Sequence, residues 1–394
     1  MEAVIENTST RADFTGMGDT GMGEPVPVWK RFFRWVAKAT RSIFGFFTIV
    51  VCLALVSVVP VLNLLSLGYL LEASARVARG GKLRYGLIGL SRFARLGTIA
   101  IGVWLWTLPL RLLYSFWQDA ELIKAGSQQA DQLRIFLSFS IIVISLHLIW
   151  AILRGGKFRH FLWPAPIRFF RWLSREKKGT EILEQVKAFF GRIPLVDLWI
   201  LGAKGFAGAA IWLAIPVLLL MAAGSIEEPG PSFLISLLGG TLLGIVALFL
   251  PFLQTRFAVT RKFSEFFSIK EARRLFKRAP LAFWLALFVT LLFALPLYLL
   301  KIELTPNEVA WLPNLVFVLF IFPARLIVGW AVSRALRQDT NRIWVSRWFA
   351  RLAALPVVAA YVFLVWLTQY LSWHGSLSLM EQHAFLVPAP LLGL

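Results

Sequence analysis

Two cations interrupt otherwise apolar stretches of this chain: Lys204 within Leu198–Ala223 and Arg325 within Trp311–Val332. Each lies about six to eight residues from a basic connection, which on a helix is roughly 9–12 Å. An ionised side chain in an apolar stretch is costly and by default marks a site. Two at matched depth suit an anion or a lipid headgroup. Their stems are also long enough to snorkel to an interface, so both readings stand. Arg325 follows Pro323, and a proline leaves a carbonyl of the preceding turn unbonded.

A second candidate is a repeated basic-aromatic run. Arg31-Phe32-Phe33-Arg34-Trp35 recurs as Arg168-Phe169-Phe170-Arg171-Trp172. At helical pitch, Lys30, Arg31, Arg34, Lys38 and Arg41 share one face, opposite Trp29, Phe32, Phe33 and Trp35. That composition belongs to a helix lying in the headgroup plane. Arg31, Arg34, Trp35, Arg168, Arg171 and Trp172 are therefore expected interfacial lipid contacts, with anionic headgroups as partners. The plainer reading makes each run an anchor before a span.

Catalysis has no constellation behind it. There is no P-loop, no G-x-S-x-G, no H-E-x-x-H and no pair of carboxylates inside an apolar stretch. Cys52 is the only cysteine, so no intrachain disulfide forms. His147 is the deep histidine, and a lone one is more often packed than functional. His374 and His383 flank Glu381, too few ligands for a defined metal geometry. The expectation is no enzyme, no cofactor and no metal. The net charge of +20 would suggest nucleic acid in a soluble chain, but these bases sit beside apolar stretches, where membrane topology explains them.

The elements that must position these residues are membrane helices. The chain is 58% hydrophobic with 16% charged residues, at a mean hydropathy of +0.71. The apolar residues gather into Ile43–Leu71, Thr98–Leu113, Ile135–Leu153, Leu198–Ala223, Phe233–Leu253, Leu281–Leu300, Trp311–Val332 and Leu352–Leu371. These are of the order needed to cross about 30 Å of hydrocarbon, where only helices or closed barrels satisfy the backbone. The connections alternate. Ala73–Gly97, Arg154–Asp197, Gln254–Pro280 and Ser333–Arg351 are strongly basic; the stretches between them, and the tail after Leu371, are poor in bases. The positive-inside rule puts the basic connections in the cytoplasm and the C-terminus outside.

The first segment breaks this order, because both of its flanks are basic. It also carries Pro60 and Asn63 near its middle. The reading is a re-entrant helix–break–helix, giving an all-α polytopic bundle of seven full spans plus one re-entrant segment, with the N-terminus inside. Eight full spans is the alternative. Residues 1–27 read as a disordered tail, 28–42 as an amphipathic interfacial helix and 43–394 as the membrane domain. No cleavable signal is expected, since the first apolar run begins too far in. Pro-Leu edges suggest two parallel repeats, 43–223 and 233–372.

The run Gly68-Tyr69-Leu70-Leu71-Glu72 with the Gly80-Gly81 loop carries a resemblance. So do Leu250-Pro251-Phe252-Leu253-Gln254-Thr255-Arg256-Phe257-Ala258, Leu295–Glu303, Phe320-Ile321-Phe322-Pro323-Ala324-Arg325 and Glu381-Gln382-His383-Ala384-Phe385-Leu386. Together they resemble an uncharacterised family of bacterial polytopic membrane proteins, of the domain of unknown function 4013 type. The resemblance implies a bacterial inner membrane and brings no activity. The Pro60-Val61-Leu62-Asn63 edge is similar to re-entrant segments of small sulfate-permease-like proteins, a fold-level analogy. Two functions follow as expectations. One is a channel or permease for a small solute, an anion among the candidates, with Lys204 and Arg325 on its path. The other is a non-transport scaffold, assembly factor or lipid-organising protein. A cavity shared by Lys204 and Arg325 favours the first; a closed bundle favours the second.

Overall fold

The computed structural model describes residues 28–173, 194–296 and 311–371, together with 375 and 379. The expected tail at 1–27, the stretch at 174–193, the connection at 297–310, and His374, Glu381 and His383 lie outside the described residues.

The described chain is helical. In order, the helices are α1 (Val28–Val58), α2 (Asn63–Gly80), α3 (Leu90–Ile123), α4 (Gln128–Leu153), α5 (Phe158–Leu162) and α6 (Pro166–Leu173). They continue as α7 (Leu195–Gly224), α8 (Pro229–Thr260), α9 (Ile269–Arg278), α10 (Pro280–Leu292), α11 (Trp311–Leu336) and α12 (Trp344–Leu371). Short 3-10 turns stand at Leu83–Gly86 and Phe263–Phe267. Seven helices among the described residues are long and apolar enough to cross a membrane: α1 from Lys38, α3, α4, α7, α8, α11 and α12. The protein is an all-α, polytopic helical bundle, with many large apolar side chains on its outer surface as lipid requires.

The first apolar segment breaks where expected. Helix α1 stops at Val58, Val61 takes a positive φ of 70°, and α2 starts at Asn63. Ser66 then donates to the Leu53 carbonyl at 2.8 Å. In a straight helix these residues would stand roughly 20 Å apart, so the chain has turned back on itself. Phe46 and Tyr69 accordingly pack on the same ring, that of Phe322. The stretch of α1 around Leu53 and the start of α2 thus lie side by side. One detail differs from expectation: α1 from Lys38 is long enough to cross alone. Within the segment expected at Leu281–Leu300, α10 runs from Pro280 to Leu292, and residues 297–300 lie outside the described ones. Helix α10 meets α9 at a bend of 112°. Residues 28–42, expected to form an amphipathic interfacial helix, are helical and make up the first part of α1.

The four basic connections meet at one end. Arg261, just past α8, pairs with Glu72 of α2. Gly81, just past α2, faces the Arg337 guanidinium. The Arg342 amide donates to the Lys277 carbonyl at 3.0 Å, and Gly156 packs on Ile99 and Arg95 at the start of α3. The charge alternation thus reads as geometry: like loops share an end.

Helix α2 is the buried axis of this end. It packs against α7, α11 and α8. Gly68 of α2 and Gly202 of α7 lie against each other's backbones, and Gly329 of α11 lies on the Ser74 carbonyl. Small residues let membrane helices approach this closely, and packing is then what holds them together.

A smaller unit repeats. In α3, Gly102 is covered by the Phe161 ring, and Trp106 Nε1 donates to the Phe161 carbonyl at 3.0 Å. In α7, Gly208 is covered by the Phe266 ring, and Trp212 Nε1 donates to the Phe266 carbonyl at 3.0 Å. Each unit is a helical hairpin followed by a left-handed residue (Gly156 or Arg261), a lysine, a short helical turn and a basic helix (α6 or α9). This unit is a hairpin with its cap, distinct from the four-segment repeats suggested by the Pro-Leu edges.

Candidate functional site

The two intramembrane cations have different surroundings. Arg325 is 3% exposed and donates to Gln254 Oε1 at 2.6 Å, with Gln254 itself fully buried. Beside them, Ser74 and Thr255 share a buried hydrogen bond of 2.8 Å. Lys204 is exposed on the outer surface of α7. Among the described residues, neither cation lines the cavities of about 350, 470, 560 and 780 Å³ that open between the helices.

An acid that the sequence reading passed over sits at the end of this polar seam. The Glu72 carboxylate, 6% exposed, accepts from Arg76 at 2.8 Å and Arg79 at 3.1 Å, and also from Arg261. Arg79 and Arg261 tie α2 to the C-terminal end of α8. The signal was an acid followed at four and seven residues by arginines, which on a helix gather along one face. The three guanidiniums are nearly half exposed and can turn to water. Glu72→Gln is therefore expected to cost about 2 kcal/mol, below the usual range for breaking a buried pair. Thermal unfolding of the purified protein checks this; an unchanged midpoint would show that the cluster adds nothing.

Next to this cluster, Arg256 holds Glu265 through two bonds at 3.0 and 2.7 Å, and Ser268 donates to the same carboxylate at 2.7 Å. Burial opposes the charge of Glu265, yet the Ser268 hydroxyl and Arg256 outweigh it and hold its pKa below the usual value. The 3-10 turn that seats Phe266 is thereby fixed against α8.

One concavity lies where α9 turns into α10. Helix α9 buries Ala272 and Leu275 and turns its cations outward. A cavity of about 560 Å³ opens between α8, α9, α10 and α12, with an apolar interior that includes Phe249, Phe252, Phe276 and Trp284. Phe252 and Phe283 stack at 4.2 Å to form one wall. At its rim stand Arg273, Lys277 and Arg351, with Arg273 over the Phe249 ring and Arg351 over that of Phe276. A second cavity, of about 470 Å³, is lined by Lys270, Arg273, Arg274, Lys277, Arg278 and Asp339. The two share Arg273 and Lys277. An apolar chamber thus adjoins a cationic one, five bases against one acid. That is the shape of an amphiphile with an anionic head. Trp284 Nε1 is buried in the chamber wall and has no partner among the described residues.

Of the expected lipid contacts, Arg168, Arg171 and Trp172 come together on α6 around a separate cavity. Trp35 is exposed on α1, while the side chains of Arg31 and Arg34 lie outside the described ones. His147 is packed, as expected: it bonds the Phe161 carbonyl at 2.8 Å and meets Trp106 edge to face. Among the described residues no group of histidines, cysteines and acids could hold a metal ion.

No curated protein and no solved structure matches the chain. Residues 179–304, which supply α7, α8, α9 and α10, match the family model described as Protein of unknown function (DUF4013). Over this stretch the chain is similar to the domain-of-unknown-function family whose motifs the sequence resembles.

Proposed function

We propose that this integral membrane protein binds an anionic lipid at the basic end of its bundle and organises lipid there, rather than conducting a solute or catalysing a reaction. The observation that carries the reading is the apolar chamber joined to a cationic one through Arg273 and Lys277. Acyl chains fit the aromatic chamber, and a headgroup phosphate fits the five bases beyond it. Arginine and lysine on an amphipathic helix attract anionic headgroups by about 1 kcal/mol each. Against conduction speaks the separation of the two cations: Arg325 is buried against Gln254, whereas Lys204 is exposed. By the positive-inside rule, the basic end is cytoplasmic, the N-terminus inside and the C-terminus outside, in a bacterial inner membrane.

Native mass spectrometry of the delipidated, full-length protein tests the reading. Titration with phosphatidylglycerol and with phosphatidylcholine should give preferential retention of the anionic lipid. Arg273→Gln with Lys277→Gln should raise the phosphatidylglycerol concentration needed at that site about thirtyfold, with phosphatidylcholine unchanged. Equal retention by wild type and variant would overturn the reading.

A further inference from the structure

We infer that the chain carries a second anionic-headgroup site, at the corresponding place in the other hairpin unit. It shares its ligand class with the proposed function but no residue with the first site.

The cavity, of about 350 Å³, is lined by Trp150, Arg154, His160, Arg168, Arg171 and Trp172. Three arginines face it, with no carboxylate among the described residues that line it. Trp150 is 7% exposed, and its indole Nε1 has no partner among the described residues; nor has Nε of Arg154. Buried donors are nearly always satisfied, so two orphans on one cavity call for an acceptor that enters it. The wall is rigid. Arg154 lies over the Trp150 ring, and its Nη2 donates to the carbonyls of His160 and Trp163, both at 2.6 Å. Trp150 also packs on Phe169 and Trp172. Burial first, and then Arg154 and the other nearby cations, push the His160 pKa below its ordinary value. The ring is therefore neutral at physiological pH, and the arginines supply the charge.

The repeat places the two sites alike. Arg168 stands seven residues beyond Phe161, and Arg273 seven beyond Phe266, each on the basic helix after the capped hairpin. Trp172 occupies the place of Lys277. The first site is thus richer in lysine and arginine and opens on an apolar chamber. The second pairs its arginines with indoles and is shaped for the headgroup alone. The ligand is an anionic phospholipid read through its phosphate, whose oxygens accept from the arginines and from Trp150 Nε1–H.

Native mass spectrometry separates the sites. Full-length wild type should retain two phosphatidylglycerol molecules preferentially. Arg168→Gln with Arg171→Gln, both on exposed side chains, should weaken one of them about thirtyfold and leave the other. Arg273→Gln with Lys277→Gln should do the converse. Trp150→Phe keeps every charge and should still weaken the second molecule several-fold. Lys82→Gln with Arg84→Gln, on the same face but outside both cavities, should change neither. Retention of both lipids by Arg168→Gln with Arg171→Gln would overturn this inference while leaving the first site standing. Loss only from the Arg273 and Lys277 variant, or equal loss from the Lys82 and Arg84 variant, would overturn it as well. In a parallel arm, inorganic phosphate should fail to displace the lipid at equal concentration; equal potency would overturn the assignment to a lipid.

Discussion

Arg325→Ala is expected to destabilise the bundle by about 4 kcal/mol, whereas Lys204→Gln changes stability by less than about 0.5 kcal/mol. The alanine removes a long side chain that is almost wholly buried and leaves a cavity among α2, α8 and α11. It also deprives the fully buried Gln254 amide of its 2.6 Å donor. Losing a buried hydrogen bond from a charged donor adds about 1.5–3 kcal/mol to the cavity cost. Lys204 is exposed, and exposed substitutions away from such features are nearly neutral. Thermal or denaturant unfolding in detergent reads both. Equal effects at the two positions would restore the paired-cation reading and with it the transport hypothesis.

Gly68→Ala is expected to be nearly as severe, at about 3 kcal/mol. The added methyl would overlap the Leu198 carbonyl, which is backbone and cannot swing aside. Helices α2 and α7 would have to separate, against the usual cost of about 1–3 kcal/mol for overpacking. Gly202→Ala meets the Leu64 carbonyl from the other side and should behave alike. Gly230→Ala is the control. Apart from its chain neighbours and its own helix backbone, nothing stands within 4 Å of the added methyl, in the first turn of α8. There the better helix propensity of alanine is offset by the restriction that Pro231 puts on the residue before it, and the change should be small beside that at Gly68. If Gly68→Ala unfolded no earlier than Gly230→Ala, the close α2–α7 packing would be refuted.

Much of the architecture was legible in the sequence because membrane insertion sorts residues by simple rules. The basic flanks of Ile43–Leu71 demanded a return to one side, and the Ser66–Leu53 bond shows the turn. Bends were less legible. Leu281–Leu300 reads as one apolar run, and nothing in its hydropathy announces the 112° bend by which α10 leaves α9 at Ala279-Pro280. The site was only half legible. Hydropathy alone makes Lys204 and Arg325 equivalent, since it cannot say which face of a helix a residue occupies. One is packed between helices and the other faces outward. Arg168, Arg171 and Trp172 were found through their aromatic-basic run, and the structure adds the partners from α4 and α5 that make a cavity of them. Arg273 and Lys277 were missed because they sit in a run of bases that topology already explained. Their distinction comes from Phe249, Phe252 and Trp284 behind them, contributed by α8 and α10. The hairpin repeat was visible in principle, as Gly102 and Trp106 recurring in Gly208 and Trp212, and Lys157-Phe158 in Lys262-Phe263. So short a pattern carries little weight until the indole-to-carbonyl bonds give it a meaning.

The most direct test of lipid binding asks whether acyl chains reach Trp284. The protein is reconstituted with phosphatidylglycerol or phosphatidylcholine brominated on the acyl chains, and the Trp284 component of fluorescence is isolated as the difference from Trp284→Phe. Bound anionic lipid should quench that component more strongly than phosphatidylcholine at equal mole fraction, and the excess should vanish in Arg273→Gln with Lys277→Gln. Equal quenching by the two lipids, or an excess that survives the double substitution, would contradict the account.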